Sequence, residues 1–598
     1  MTDSSSELRL SARDLVWLVV CLGVTLGLGE VLLVVVKKAA TGRFIWLSRQ
    51  MIWMTPVALI GWLSVLALPI GLVNGLRAKT VSFHVAIGLL LIPGLFGLGT
   101  VFPLYEPAVL ILALGFAVQA GRMAKRSPNR ARRLTRRLAI WGGSLVVLSG
   151  AGLNAWGALQ SASARRALPA AMTGSPNVLL IILDTVRASS MSLYGYPRQT
   201  TPNLDAFAKR GIAFELAFAP SPWTLPSHAS TFTGRWPGEL SASWLAPLDG
   251  THATLAEELS DRGYLTAGFV ANLLYCGYEM GLDRGFVHYE DYEISGAELL
   301  LSSSLGRRIV NDPKVRQAVN YYDVIARKRA SDITGDFLRW WRANESEERP
   351  FFAFLNYYDA HEPYLPPAPF DSLFGPPGPR SMHRNDHVLR NATLWGRRRM
   401  PSEMVAIEET SYEGALAYID QQLERLFAEL DSAGALENTI VIVTSDHGEN
   451  FGEHGRHGHG GSLYTQELRV PLLVVHGERL PAGARVAEPA SLRDLPATVM
   501  SMIGIDEHPF RGVPLDLHGR SARAIPSDPV ISEFIETDGR RMASVLEGRL
   551  HLIRNYDGSE ELYDVVDDPE ELENLVESAE LQADRLRLRA SLERQVAY

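Results

Sequence analysis

Two kinds of hydrophobic pattern divide this chain. From residue 14 to residue 158 the apolar positions come in long unbroken runs. Five of these, at about 14–36, 51–76, 82–103, 106–120 and 138–158, approach the roughly 20 residues that cross a bilayer as a helix. The fourth is short enough to be tilted or re-entrant, so the pattern predicts four or five spans. The first run is too long for a signal peptide and has no small-residue cleavage site. Residues 1–158 therefore read as an all-α transmembrane bundle of about five helices. Residues 159–176 are small, polar and proline-containing, as a linker is.

After residue 177 the runs become short. V-L-L-I-I-L-D, ending at Asp184, and T-I-V-I-V-T-S-D, ending at Asp446, are β-branched and apolar on both faces, the pattern of buried parallel strands. F-F-A-F-L-N-Y-Y-D (351–359) and P-L-L-V-V (471–475) read the same way. Between them Leu416, Ile419, Leu423, Leu426 and Leu430 recur every three or four residues and make one apolar stripe of a helix over 412–430. Alternating strands and helices predict an α/β fold with a doubly wound sheet, whose site lies at the carboxyl ends of its strands. The core is expected over 177–480, with a C-terminal subdomain over 481–598 whose charged end, 565–598, is helical. Residues 372–405, rich in Arg, Pro and Gly, read as a surface loop or lid.

Charge adds topology. A net charge of −9 over 598 residues argues against a nucleic-acid partner. The eight Lys and Arg of 122–137 belong in the cytoplasm by the positive-inside rule. The following span then exits, which places everything beyond about residue 160 outside: a multi-pass protein of the cell membrane with an extracytoplasmic soluble domain. Lys37, Lys38, Arg43 and Arg49 run against this rule, because their loop falls on the outer side. Cys21 and Cys276 are the two cysteines, and Cys21 lies inside the first span, so neither a disulfide framework nor a zinc finger is expected.

The chemistry sits at strand ends. Asp184 ends one strand, and Asp446 and His447 end another. Thr224, in T-L-P-S-H-A-S-T-F-T-G, stands two residues before a proline suited to a first helical turn, where backbone N–H groups and the helix dipole favour an anion. A threonine hydroxyl is a weak nucleophile near neutral pH, and a divalent ion would favour its alkoxide. Asp184, Thr224, Asp446 and His447 make a four-ligand N/O site for one divalent metal ion. Its imidazole favours Zn²⁺ or Mn²⁺ over Mg²⁺, and Ca²⁺ remains compatible. Taken singly, Asp184 reads equally as a turn or cap residue and Thr224 as an N-cap. The loop S-D-H-G-E-N-F-G-E-H-G-R-H-G-H, with His454, His457 and His459, is too rich in histidine and glycine for packing alone.

In order along the chain, N-V-L-L-I-I-L-D-T-V-R (177–187), Y-G-Y-P-R-Q-T-T-P-N-L-D-A-F-A (194–208), S-P-W-T-L-P-S-H-A-S-T-F-T-G (221–234), H-E-P-Y (361–364), T-S-D-H-G-E-N-F-G-E-H-G (444–455) and L-R-V-P-L-L-V (468–474) resemble the sulfatase family of the alkaline-phosphatase superfamily. E-L-Y-D-V-V-D-D-P-E-E-L-E-N-L (561–575) resembles its C-terminal signature. The resemblance implies metal ligation by Asp184, Asp446 and His447, a nucleophile at Thr224 and a substrate-anion contact at His361. For His459 it implies a leaving-group or anion role.

Two departures qualify it. Sulfatases mature a Cys or Ser of C/S-x-P-x-R to formylglycine, where this chain has Thr224, Pro226 and His228. Oxidised threonine is a ketone, so formylglycine is not expected. Paired aspartates of the family become Asp184-Thr185, which removes one calcium-type ligand. Both lean toward threonine-dependent phosphotransferases, and the spans-then-catalytic-domain layout is similar to lipoteichoic-acid synthases and phosphoethanolamine transferases. The expected activity is hydrolysis or transfer of a phosphate- or sulfate-ester group on an envelope lipid or glycan. The alternatives are a sulfuric ester hydrolase without formylglycine and a catalytically silent membrane scaffold.

Overall fold

A computed structural model describes residues 10–41, 48–76, 81–102, 104–172, 174–291, 294, 296–321, 323, 327–345, 349–375, 400–517, 529–536 and 538–596. The expected lid over 372–405 lies largely outside them. The chain divides into two compact units. One is residues 1–163 with 293–321, and the other is 164–292 with 322–598.

The first unit contains α1 (Ala12–Thr41), α2 (Met51–Leu76), α3 (Phe83–Gly99), α4 (Glu106–Arg126) and α5 (Pro128–Ala167). All but α3, at 17 residues, are long and apolar enough to cross a membrane. α1 and α2 approach closely because Gly23 and Gly27, one turn apart, have no side chains. A Cβ on Gly27 would lie 2.4 Å from Pro56 Cα, and one on Gly23 2.7 Å from the Ile60 nitrogen. Small residues four apart let helices meet in lipid in this way. Residues 159–167, read from composition as linker, are instead the last turns of α5, since no proline intervenes before Pro169. The helices Gly296–Leu301, Ser304–Asn311 and Pro313–Val319 also belong to this unit. They are short segments with no periodic run long enough to mark them in the sequence.

The second unit is built on an eight-stranded sheet. Its spatial order is Ala484–Val486, Ile212–Phe214, Leu472–Val475, Thr439–Thr444, Asn177–Leu183, Phe351–Tyr357, Leu265–Val270 and His288–Glu290. The four strands flanking and including Asn177–Leu183 run parallel, with Ile182 level with Thr444 and Leu183 with Tyr357. Leu472–Val475, read as parallel, runs antiparallel to both its neighbours. The chain returns from Thr444 through a site loop with a single helical turn, Thr465–Leu468, and a parallel return needs a full crossover. A strand buried on both faces carries no mark of its direction.

The helix Ser402–Ser432 lies against the sheet through its stripe. Leu416, Ile419, Leu423, Leu426 and Leu430 are each at most 1% exposed, and they join the main core. The helix starts at Ser402, after Pro401, ten residues before the expected start at 412. The C-terminal region forms a four-stranded antiparallel meander, Val530–Ile535, Arg541–Glu547, Leu550–Arg554 and Glu560–Asp564. The helix Gln582–Gln595 closes it with Leu588 and Leu592.

Asp420, on the long helix, accepts from Asn203 N at 3.0 Å, Asn203 Nδ2 at 2.9 Å and Leu204 N at 2.8 Å, so it holds the first turn of the helix Pro202–Ala208. Asp420→Ala strands these amides and lowers stability by about 1–3 kcal/mol, measured as a lower denaturation midpoint. Burial pushes the Asp420 carboxyl up to about 6 from 3.8. Between those values the folded chain holds a proton that the unfolded chain has lost. Asp420's contribution to stability therefore falls as pH rises through that window, and Asp420→Asn lacks this component.

Candidate metal centre and nucleophile

Adjacent parallel strands deliver their carboxyl ends to one place. Asp184 follows Asn177–Leu183, and its N–H donates to Tyr357 O at 2.8 Å. Ser445, Asp446 and His447 follow Thr439–Thr444, and Asn272 stands just beyond Leu265–Val270. Thr185 then turns the chain with φ 60°. That left-handed backbone strains a β-branched residue by about 1–3 kcal/mol. The turn aims the Thr185 N–H at Asp446 Oδ1, 3.1 Å away. Two distant loops are thereby locked together at the cost of local strain.

Thr224 opens the helix Thr224–Thr233, every residue of which is buried. Trp223 is its N-cap and offers no side-chain acceptor to the first turn. Ser227 Oγ donates to Asp446 O at 2.6 Å, which ties the helix to the second strand end. Thr224 Oγ1 comes to 3.3 Å from His447 Nε2. Ligand atoms of Asp184, Asp446 and His447 all lie within 4.8 Å of one another. The four residues assigned to the metal from sequence are thus brought together.

The donor set fits a cation. Asp184 Oδ2 accepts from Asn272 Nδ2 at 2.8 Å and from Asn356 Nδ2 at 3.4 Å. Asp446 Oδ1 accepts from the Thr185 and His447 amides. Asp184 Oδ1 and Asp446 Oδ2 are buried with no hydrogen-bond partner, although buried acceptors are nearly always satisfied. His447 donates from Nδ1 to Gly448 O at 3.0 Å, so its neutral ring turns a lone pair outward on Nε2. Burial, with His459 beside it, pushes His447 down to about 3. Burial also raises Asp184, which Asp446 raises further, and burial raises Asp446. Two unpaired carboxylate oxygens, an imidazole lone pair and a hydroxyl converge in a site that disfavours bare negative charge. Such a group could hold a divalent ion with N/O ligands.

Histidines form the outer wall. The His459 ring lies 4.4 Å from that of His447 and 5.1 Å from that of His361. His361 stacks on Tyr358 at 4.3 Å and donates from Nδ1 to Glu362 O at 3.0 Å. Burial and His459 hold its pKa well below the ordinary value. His459 Nδ1 lies 3.1 Å from Glu449 Oε1, and Tyr364 donates to Glu449 Oε2 at 2.8 Å. Burial opposes charge on His459, but Glu449 outweighs it and lifts its pKa. Of the loop's other histidines, His454 leaves this wall: it stacks on Tyr464 at 3.7 Å and bonds Glu570 O at 2.9 Å. His228 is buried, bonds Thr224 O at 2.8 Å and lies 3.6 Å from Asp446 Oδ2.

Sequence reasoning missed Asn272, Asn356 and Glu449. Asn272 sits at a strand's carboxyl end, and Glu449 lies within T-S-D-H-G-E, so strand-end position and motif membership were the available signals. It also missed the support of the nucleophile loop from the meander. Glu533 N donates to Pro220 O at 2.8 Å, Ser532 Oγ donates to Ala219 O at 2.6 Å, and Phe534 lies 6.3 Å from Trp223.

A parallel-centred α/β sheet with this donor set at its strand ends defines a hydrolase of the alkaline-phosphatase/sulfatase superfamily, whose members use a divalent metal. A sulfatase family profile matches residues 176–505, and the chain belongs to the sulfatase family. It is 28% identical to an uncharacterised sulfatase, YidJ, of Escherichia coli (strain K12), over 67% of this chain and 83% of that protein. To a choline-sulfatase of Rhizobium meliloti (strain 1021) it is 24% identical, over 71% and 87%. Among solved structures, a phosphonate monoester hydrolase of Agrobacterium radiobacter superposes with a TM-score of 0.55 at 22% identity, covering 70% of this chain and 96% of that one. The chain is a sulfatase-family hydrolase of ester groups.

Asp446→Asn and His447→Ala each lower bound metal well below one equivalent, measured by elemental analysis of purified protein. A chelator lowers the melting temperature of the wild type by exposing two unscreened buried carboxylates to each other, and lowers that of Asp446→Asn much less.

Proposed function

We propose that this protein is a multi-pass membrane enzyme that cleaves or transfers a phosphate- or sulfate-ester group through Thr224. The carrying observation is the Thr224 hydroxyl at the helix start, 3.3 Å from His447 Nε2, beside two partnerless buried carboxylate oxygens. Asp184, Asp446, His447 and Thr224 hold one divalent ion. Its positive charge lowers the proton affinity of the hydroxyl and screens an approaching anion. The N/O donor set favours Zn²⁺ or Mn²⁺, with Ca²⁺ compatible.

Thr224 Oγ, its proton given up to solvent, attacks the phosphorus or sulfur and the bond to the leaving oxygen breaks. Glu449 favours the protonated form of His459, which donates its proton to that oxygen. The same imidazole then takes a proton from the water or acceptor hydroxyl that resolves the threonyl ester. His361 presents Nε2 as an acceptor while neutral, so it binds a substrate oxygen as imidazolium. The anion's own charge supplies the attraction that burial removes. Formylglycine is not used, because a threonine cannot yield it.

Threonine and Asp184-Thr185 in place of the formylglycine precursor and paired aspartates favour a phosphoester. Sulfate-ester cleavage is the second reading, and the relatives named as sulfatases support it. The long apolar helices support a membrane anchor. With 122–137 in the cytoplasm, the catalytic unit lies outside. Tethering there favours a lipid-linked or envelope-glycan substrate, since confinement raises encounter with the bilayer surface.

Thr224→Ala lowers turnover at least about a thousandfold on a panel of phosphate mono- and diesters, phosphonates and sulfate esters, while Thr224→Ser keeps measurable activity. Wild-type turnover in Thr224→Ala would sink the mechanism. Accurate intact mass after brief substrate exposure identifies the threonyl ester as phosphate or sulfate. In intact cells, an external protease reaches the catalytic unit and leaves a tag placed within 122–137 untouched.

A further inference from the structure

The basic residues after α1 run against the orientation that the 122–137 cluster favours, and the helical unit offers a reason. Glu30, inside α1, is 1% exposed. An ionisable group in a span is costly and marks function. It accepts from the Ser304 amide and the Ser304 hydroxyl, each at 2.6 Å, with Arg307 at 3.5 Å. Two more contacts seat the same segment: Thr55 donates to Ser302 O at 3.0 Å and Trp62 Nε1 to Leu300 O at 3.2 Å. The helix Ser304–Asn311 is thereby clamped over the C-terminal ends of α1 and α3 and the start of α2.

Between them lies a cavity of about 700 Å³ with an amphiphilic lining. Val34, Met51 and Val101 form an apolar cluster on one side. Lys37, Arg307 and Arg308 supply the cations. Arg308 is engaged by Glu106 at 2.7 Å through both terminal nitrogens. Lys37 gives one hydrogen to Val101 O at 2.6 Å; Arg307 is 44% exposed, and its terminal nitrogens also reach the Leu301 and Ser302 carbonyls, Ser304 Oγ and Glu30 at 3.1–3.5 Å. Asp312 also lines the cavity, but its Oδ1 is used by the Lys314 and Val315 amides.

We propose that this cavity binds the phosphate of an anionic glycerophospholipid headgroup in the outer leaflet. Lys37 and Arg307 hold the phosphate oxygens, and the Val34–Met51–Val101 side receives the first carbons of the lipid. Basic pockets between membrane helices hold lipid headgroups in this way. The site explains why lysine stands at the outer end of α1 in spite of the topological bias. It rests on the membrane orientation proposed above and not on the chemistry at Thr224.

The test uses full-length protein in detergent, with phosphatidylglycerol, phosphatidylcholine or inorganic phosphate added. Native mass spectrometry counts retained lipid, and thermal melting reports affinity. Phosphatidylglycerol is retained and raises the melting temperature, whereas phosphatidylcholine and inorganic phosphate at equal concentration do not. Lys37→Gln and Arg307→Gln each weaken phosphatidylglycerol about fivefold, the effect of losing one basic side chain apiece, with metal content unchanged. Lys37 is held by the Val101 carbonyl and lies 5.8 Å from the Phe102 ring, with no buried carboxylate among the described residues depending on it, so Lys37→Gln stands alone if Arg307→Gln fails to fold. Equal retention by wild type and Lys37→Gln overturns the site, as does an equal response to inorganic phosphate. Neither result touches turnover at Thr224, and loss of turnover leaves the lipid result standing.

Discussion

Two carboxylates forced into one dry cleft are the constraint on which the catalytic unit turns. Asp184 and Asp446 each spend one oxygen on neutral amide donors and leave the other bare. Protein interiors do not tolerate that arrangement without a compensating charge. A divalent ion would relieve it, with the neutral His447 ring as a further donor. Thr185's left-handed backbone and the Ser227–Asp446 bond are the mechanical side of the same constraint, because they hold like charges close against their repulsion. On the proposed mechanism, an ion held there would lower the proton affinity of the Thr224 hydroxyl without a dedicated base.

The C-terminal meander, remote in sequence, acts on this centre through the nucleophile loop. Its first strand takes the backbone of 219–220 as an extra partner and packs Phe534 near Trp223. A second tie runs through Glu571, which accepts from the Thr465 amide at 2.8 Å and pairs with buried His551 at 2.5 Å. The segment after His459 and the loop carrying Thr224 are thus both braced from the region 532–571. The 561–575 stretch holds the segment 454–465 directly, through Glu561, Glu570 and Glu571.

In the helical unit the same economy of charge appears. Glu30 would be intolerable in a span by itself, and the segment 296–321, which leaves the catalytic region of the sequence, satisfies it. The same segment brings Arg307 and Arg308 to the cavity that Lys37 lines.

Much of this was legible in one dimension. The apolar runs of 14–158, the double-sided strands ending at Asp184 and Asp446, and the stripe from Leu416 to Leu430 are local patterns, and local patterns survive without the fold. Asp184, Thr224, Asp446 and His447 could be named because strand ends and helix starts are where backbone geometry frees side chains to converge. What the linear order could not hold was any property that depends on partners. The antiparallel run of Leu472–Val475, the helical continuation of α5 to Ala167, and the transfer of 296–321 to the other unit all depend on neighbours far away in the chain. So do the anchoring of Asp184 by Asn272 and Asn356 and the departure of His454 toward Tyr464. Periodicity records which face of an element is buried, whereas only tertiary packing decides against what.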